Sequence, residues 1–211
     1  MKAVIVTGGK KPSKSLLKSY LEKDDFIIGV DSGCNCLYEY KVYPDIIMGD
    51  FDSAHEEAIR FLEEKNIKKV SFNTDKDYSD TQLAYEKAKE LGYKNIILFG
   101  ATGSRLDHSL GNIGLLFDAL KNKIDLEIID DNNRIFFIDK PTTLQGDYGQ
   151  TLSFMPMSDT VSGVTIEGAK YLLDDYDMTI LEPRAISNEF LNKDITISFR
   201  SGIIMVIYSR D

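Results

Sequence analysis

The chain has 211 residues, 43% of them hydrophobic, enough to bury a sizeable core without disulfides or a structural metal. Its 34 acidic and 25 basic residues leave a formal net charge of -9, which excludes a nucleic-acid scaffold held by clustered Lys and Arg. Charged residues, 28% of the chain, alternate with apolar ones, so a disordered composition is excluded too.

Ala3 to Thr7 reads as a first strand, an apolar run too short for a signal-peptide core. A helical pattern through Leu16, Leu17 and Leu21 follows. Further strands are predicted at Phe26 to Val30, Asp45 to Met48, Ile67 to Phe72, Asn95 to Phe99 and Leu126 to Ile129, with helices between them. This rhythm predicts a three-layer α/β domain around a parallel sheet. Ser53 with Glu56, and Ser79 with Gln82, have the spacing of capping boxes that start helices. After Ser104, Leu106, Leu110, Ile113, Phe117 and Leu120 recur at steps of four and three, predicting a helix with this stripe against the sheet. Cys34 and Cys36 are too close in sequence for a relaxed disulfide and read as reduced thiols, the state expected of a cytoplasmic protein. A zinc site would need His55 or His108 from far away and is set aside.

From Asn133 the pattern becomes short strands: Arg134 to Ile138, Thr151 to Phe154, Val161 to Ile166, Met178 to Leu181, Ile195 to Phe199 and Ile203 to Tyr208. Gly146, Gly149, Gly163, Gly168, Gly202 and the pair Asp174-Asp175 read as turns between them. We expect a small all-β sandwich over 133–211 after an α/β domain over 1–132, with Asp130-Asp131-Asn132-Asn133 at the boundary.

In a parallel α/β sheet ligands bind beyond the carboxyl ends of the strands. Strand one ends in Gly8-Gly9, strand two in Asp31-Ser32-Gly33, strand three in Gly49-Asp50-Phe51-Asp52, strand four in Asn73-Thr74-Asp75-Lys76-Asp77 and strand five in Gly100-Ala101-Thr102-Gly103. Carboxylates gathered at one rim repel one another unless a cation joins them. Asp50 and Asp52, and likewise Asp75 and Asp77, are two residues apart, which in extended backbone sends both side chains to one face. Such pairs suit Mg²⁺, which takes one or two carboxylates and fills its shell with water and phosphate oxygens. Asp80, in the first turn of its helix, is also explained by the helix dipole. The Gly100 to His108 stretch joins a strand to a helix N-terminus and forms an anion site to which Arg105 adds a phosphate contact. It matches neither the P-loop nor the Gly-x-Gly-x-x-Gly fingerprint. His108 reads as a hydrogen bonder on the helix face.

Taken together these motifs resemble the thiamine pyrophosphokinase family along nearly the whole chain. Asp31-Ser32-Gly33-Cys34-Asn35, Pro44-Asp45 with Gly49-Asp50-Phe51-Asp52-Ser53, and Gly103-Ser104-Arg105-Leu106-Asp107-His108 are similar to its motifs in order and spacing, although Ser32 and Ser104 stand where glycine is usual. Gly163-Val164-Thr165-Ile166-Glu167-Gly168 and Ser187-Asn188-Glu189-Phe190 are similar to segments lining its thiamine site, with Tyr171 where some members carry a stacking Trp. The resemblance implies transfer of the pyrophosphoryl group of ATP to thiamine with Mg²⁺, in a homodimer whose active site is shared between chains. It implies catalytic roles for Asp31, Asp50, Asp52, Asp75 and Asp77, of which Asp50, Asp52 and Asp77 would hold the metal and Asp75 or Asp31 would orient the attacking hydroxyl or a metal-bound water. Gly100, Thr102, Gly103, Ser104, Arg105, Asp107 and His108 would bind the nucleotide, and Asp80, Tyr171, Ser187 and Asn188 thiamine. Two other readings are another Mg²⁺-dependent transferase using nucleotides and a non-catalytic thiamine or nucleotide sensor. Neither a membrane nor a nucleic acid is expected as a partner.

Overall fold

A computed structural model describes residues 1–71, 78–182 and 184–210 and divides into two compact units, Met1–Asp131 and Asn132–Asp211.

The first unit contains β1 (Ala3–Val6), α1 (Lys14–Tyr20), β2 (Phe26–Val30), α2 (Gly33–Tyr40), β3 (Ile46–Gly49), α3 (Glu56–Glu64), β4 (Lys68–Ser71), α4 (Asp80–Glu90), β5 (Asn95–Phe99), α5 (Leu106–Lys121) and β6 (Asp125–Ile129). Its strands run in the order β6-β5-β1-β2-β3-β4, every pairing parallel. β1 at the centre is buried at all four positions, as expected of a strand covered on both faces. Because the strand order reverses around β1, the loops after β1, β2 and β5 meet at the carboxyl edge.

Ser79 caps α4 by accepting from the Gln82 amide, as its spacing predicts. Ser53 does not cap α3, whose N-cap is His55, with the His55 amide donating to Asn35 Oδ1 at 2.8 Å. The intervening turn is held from α2 instead of by a local box. α5 also departs from expectation, because the face it buries is Asn112, Leu115, Leu116 and Ala119. Leu106, Leu110 and Phe117 of the predicted stripe are 68%, 58% and 38% exposed, so that stripe does not lie against the sheet. The helix carries apolar residues on two adjacent faces, and periodicity does not say which one the sheet takes.

The second unit contains β7 (Asn133–Ile138), β8 (Thr142–Leu144), β9 (Thr151–Pro156), β10 (Val161–Glu167), β11 (Leu173–Met178), β12 (Asn188–Glu189), β13 (Ile195–Ser198) and β14 (Ile204–Ser209). Antiparallel strands β12-β9-β14-β7 and β11-β10-β13-β8 supply one core, centred on fully buried Phe154, Val164, Phe190, Ile197 and Val206. The strand predicted at Met178 to Leu181 lies earlier, at β11; Leu181 is 88% exposed in a turn. Gly163 and the Asp174-Asp175 pair are not connecting turns either. Gly163 sits inside β10 at φ 64, in a stretch where the register with β11 shifts, and Asp175 has φ 44 within β11.

Candidate active site

Among the described residues of the first unit, polar and glycine residues interlock at the carboxyl ends of β1, β2, β3 and β5. Asp31 follows β2 with φ 45, its amide donating to the Met48 carbonyl at 3.1 Å and its Oδ1 accepting from the Phe51 amide at 3.3 Å. The carboxylate occupies the space a side chain on Gly49 would need: a Cβ there, at φ 140, would lie 1.7 Å from Asp31 Oδ1. Only glycine at 49 lets the ends of β2 and β3 close in this way.

Asp50 and Asp52 do not lie in extended backbone. Phe51 between them has φ 63, and Asp50 Oδ1 accepts from the Asp52 amide at 3.1 Å, closing a local turn. A different grouping forms here: Asp80, at the start of α4, and Asp50 both act on the charge of Asp31. Burial, then Asp80 and Asp50, push the Asp31 carboxyl up to about 7 against the ordinary 3.8, although the Phe51 amide opposes the shift. α4 is tied to the same rim by a 2.8 Å hydrogen bond between the hydroxyls of Thr7 and Thr81. Asp75 and Asp77 lie outside the described residues. No group of three or more His, Cys, Asp or Glu arranged to hold a metal is found among the described residues. Cys34 and Cys36 are free and buried, and burial pushes their thiols up to about 12 and 11.

The loop Gly100 to Gly103 continues the pairing of β5 with the chain beyond β1. The amides of Gly9 and Lys10 donate to the carbonyls of Gly100 and Thr102 at 2.8 and 2.6 Å. The Thr102 hydroxyl donates to buried Asp130 at 2.7 Å, and Asn112 Nδ2 of α5 donates to the Ala101 carbonyl at 2.8 Å. The sequence places Gly9, in the Gly8-Gly9 pair, at this rim, whereas Thr7, Asn112 and Asp130 carry no local signal of their part in it.

Gly103, Ser104, Arg105, Asp107 and His108 are exposed where α5 begins. Arg105 is paired with Asp107 at 2.7 Å, and its guanidinium holds the Asp107 carboxyl down at about 2. The N-cap of α5 is Arg105, without a side-chain cap bond.

In the second unit Tyr171 is 54% exposed, with its ring face beside Lys170 Nζ at 5.4 Å. Ser187 has φ 56, and its amide donates to the buried Ser153 hydroxyl at 3.0 Å. Asn188 is 1% exposed, and its side chain is spent on main chain: Oδ1 accepts from the Tyr171 amide at 2.9 Å and Nδ2 donates to the Tyr171 carbonyl at 2.7 Å. Asn188 therefore fixes the backbone that presents Tyr171.

Two family models match, the thiamin pyrophosphokinase catalytic domain over residues 17–128 and the thiamin pyrophosphokinase vitamin B1 binding domain over residues 138–204. A thiamine pyrophosphokinase of Bacillus subtilis (strain 168) is 35% identical over 209 residues, which are 98% of either chain. The crystal structure of a Bacillus subtilis thiamine pyrophosphokinase superposes with a TM-score of 0.91 at 33% identity, covering all of both chains. That of the Geobacillus thermodenitrificans thiamin pyrophosphokinase gives 0.88 at 33% identity, over 100% of this chain and 98% of that one. With both domains matched in order and the likeness running the length of the molecule, this chain belongs to the thiamine pyrophosphokinase family.

Proposed function

We propose that the chain transfers the pyrophosphoryl group of ATP to the hydroxyethyl oxygen of thiamine, giving thiamine diphosphate and AMP. The observation that carries this reading is the full-length likeness to the Bacillus subtilis enzyme, in both sequence and fold. The α/β unit takes ATP and the β-sandwich unit takes thiamine.

The carboxylates at the rim suit Mg²⁺: the donors are hard oxygens, and the charge that lifts Asp31 is what a cation would relieve. Asp50, Asp52 and Asp77 would hold the ion, and when bound it neutralises charge on the phosphate oxygens. Asp31, at the end of β2 beside Asp50 and Asp80, would orient the thiamine hydroxyl or a metal-bound water; Asp75 is the other candidate for that role. Gly100, Thr102, Gly103 and Ser104 line the phosphates with main chain at the start of α5, His108 flanks them, and Arg105 exchanges Asp107 for a phosphate oxygen. Asp80 holds Asp31 toward the thiamine side. Tyr171 offers its ring to the cationic thiazolium or the pyrimidine, with Ser187 beside it.

The test is product analysis after incubation with thiamine, ATP and Mg²⁺. AMP and thiamine diphosphate are expected in equal amounts, whereas ADP with thiamine monophosphate would replace this reading by an ordinary kinase. Binding of thiamine and ATP without any product would favour a sensor.

A second part of the proposal is a homodimer in which thiamine lies between the α/β unit of one chain and the β-sandwich unit of the other. Asp50→Asn and Tyr171→Ala chains, each inactive as a homodimer, are then expected to regain about half of wild-type activity per heterodimer, one working site of two. A verified heterodimer as inactive as its parents would put each site within one chain.

A further inference from the structure

Asn112 lies on the buried face of α5, 8% exposed, in a helix whose other buried positions are Leu115, Leu116 and Ala119. A carboxamide in such a place needs a hydrogen-bond partner, and an apolar residue would satisfy packing alone at less cost. Its partner is the Ala101 carbonyl, at 2.8 Å.

The carbonyls on either side are held from another direction, Gly100 by the Gly9 amide and Thr102 by the Lys10 amide. Three successive carbonyls of the loop thus accept internal bonds, the middle one from a side chain. In a trans peptide unit the C=O and the next N–H point in opposite directions. Asn112, by holding the Ala101 oxygen toward α5, aims the Thr102 N–H away from α5. A flip of that single peptide would exchange the N–H donor for a carbonyl oxygen and turn an attractive contact with an anion into a repulsive one. The neighbouring bonds to Gly9 and Lys10 do not prevent this flip, because they fix the peptides before and after it.

We infer that Asn112 is a positioning residue for nucleotide binding: it locks the Ala101–Thr102 peptide in the orientation that presents its N–H to the ATP phosphates. The inference rests on the reading of the Gly100 to Gly103 loop as the nucleotide site. Asn112 acts through the loop and touches no substrate itself.

Two variants test it. Asn112→Leu removes the donor at similar volume, and Asn112→Asp turns it into an acceptor facing a carbonyl. Both are assayed well below their thermal midpoints, with KM for ATP and thiamine measured separately and binding of a non-hydrolysable ATP analogue measured without thiamine. The expected result is a KM for ATP about tenfold higher in Asn112→Leu and higher again in Asn112→Asp. The KM for thiamine stays within about twofold, and analogue affinity falls in step with the KM for ATP. Equal changes in both KM values, or an unchanged KM for ATP in a folded variant, would overturn the inference. Should both variants fail to fold, Thr102→Pro, which removes the N–H directly, replaces them, and wild-type analogue affinity in that variant would equally overturn it. Arg105→Ala separates the underlying reading. If it also leaves ATP binding untouched, the loop is not the nucleotide site; if it weakens ATP while the Asn112 variants do not, only the role of Asn112 fails.

Discussion

Asp50→Asn is expected to lower turnover by about a hundred- to a thousandfold, the range seen when one group that stabilises transition-state charge is lost, while leaving the fold intact. The separation follows from the two jobs Asp50 does. Its Oδ1 accepts from the Asp52 amide, and asparagine can make the same bond, so the turn after β3 survives. What asparagine cannot replace is the negative charge proposed to hold Mg²⁺. In the metal-free protein that charge acts against Asp31. The Asp31 carboxyl titrates at about 7 in the fold against 3.8 ordinarily, so the folded state holds the proton more tightly than the unfolded chain does. The stability it contributes is present at low pH and is lost as pH rises between these values, with no further change above about 7. With Asp50 neutral, the Asp31 carboxyl comes down in part, burial and Asp80 still holding it up, and the loss becomes shallower. Thermal midpoints across that window, without divalent ions, should therefore fall less in Asp50→Asn than in wild type. Near wild-type turnover at limiting Mg²⁺ would remove Asp50 from the metal site, and an unchanged pH slope would show that Asp50 does not act on Asp31.

Gly9→Ala is expected to cost both stability and ATP binding. A Cβ at this position would lie 2.2 Å from the carbonyl oxygens of Gly100 and Thr102, which are backbone atoms and cannot swing aside. The segment after β1 would have to separate from the loop after β5, breaking the 2.8 and 2.6 Å bonds that pair them. Overpacking of this kind typically costs about 1–3 kcal/mol, and the lost hydrogen bonds add to it. The thermal midpoint should drop by roughly 5 °C or more, and affinity for ATP should fall because the anion loop is displaced. Gly114→Ala is the control. Gly114 lies in α5 with nothing within 4 Å of its Cβ position, so alanine there should be neutral or stabilise the helix by up to about 1 kcal/mol. Equal behaviour of the two variants would show that the close approach at Gly9 is not required.

Strand order, unlike strand identity, is not written in local pattern. Apolar runs with β-branched residues mark β1, β2, β5 and β6 without reference to anything distant, because such runs cannot stay solvated. Ser79 with Gln82 likewise marks the start of α4 by a bond three residues long. The glycines and aspartates after the strands are visible for the same local reason, and their order along the chain is what carries the family resemblance. Features that depend on distant approach were misread or missed. The turn at Phe51 exists because Asp31 fills the space left by Gly49, twenty residues from the loop it shapes, so Asp50 and Asp52 close a turn instead of sharing a strand face. The choice of buried face on α5 depends on what the sheet offers, which no helical period encodes. Asn112 and Asn188 look like ordinary polar residues until tertiary contact brings the carbonyl of Ala101 to one and the backbone of Tyr171 to the other. Sequence alone thus determined most of the elements, though neither the short strands β8 and β12 nor the place of β11, together with the residue types at the rim and the family. Which carboxylates share a field, and which buried amides hold the loops, was decided by the tertiary structure, because a hydrogen bond or a raised pKa belongs to a pair of groups and not to either residue's place in the chain.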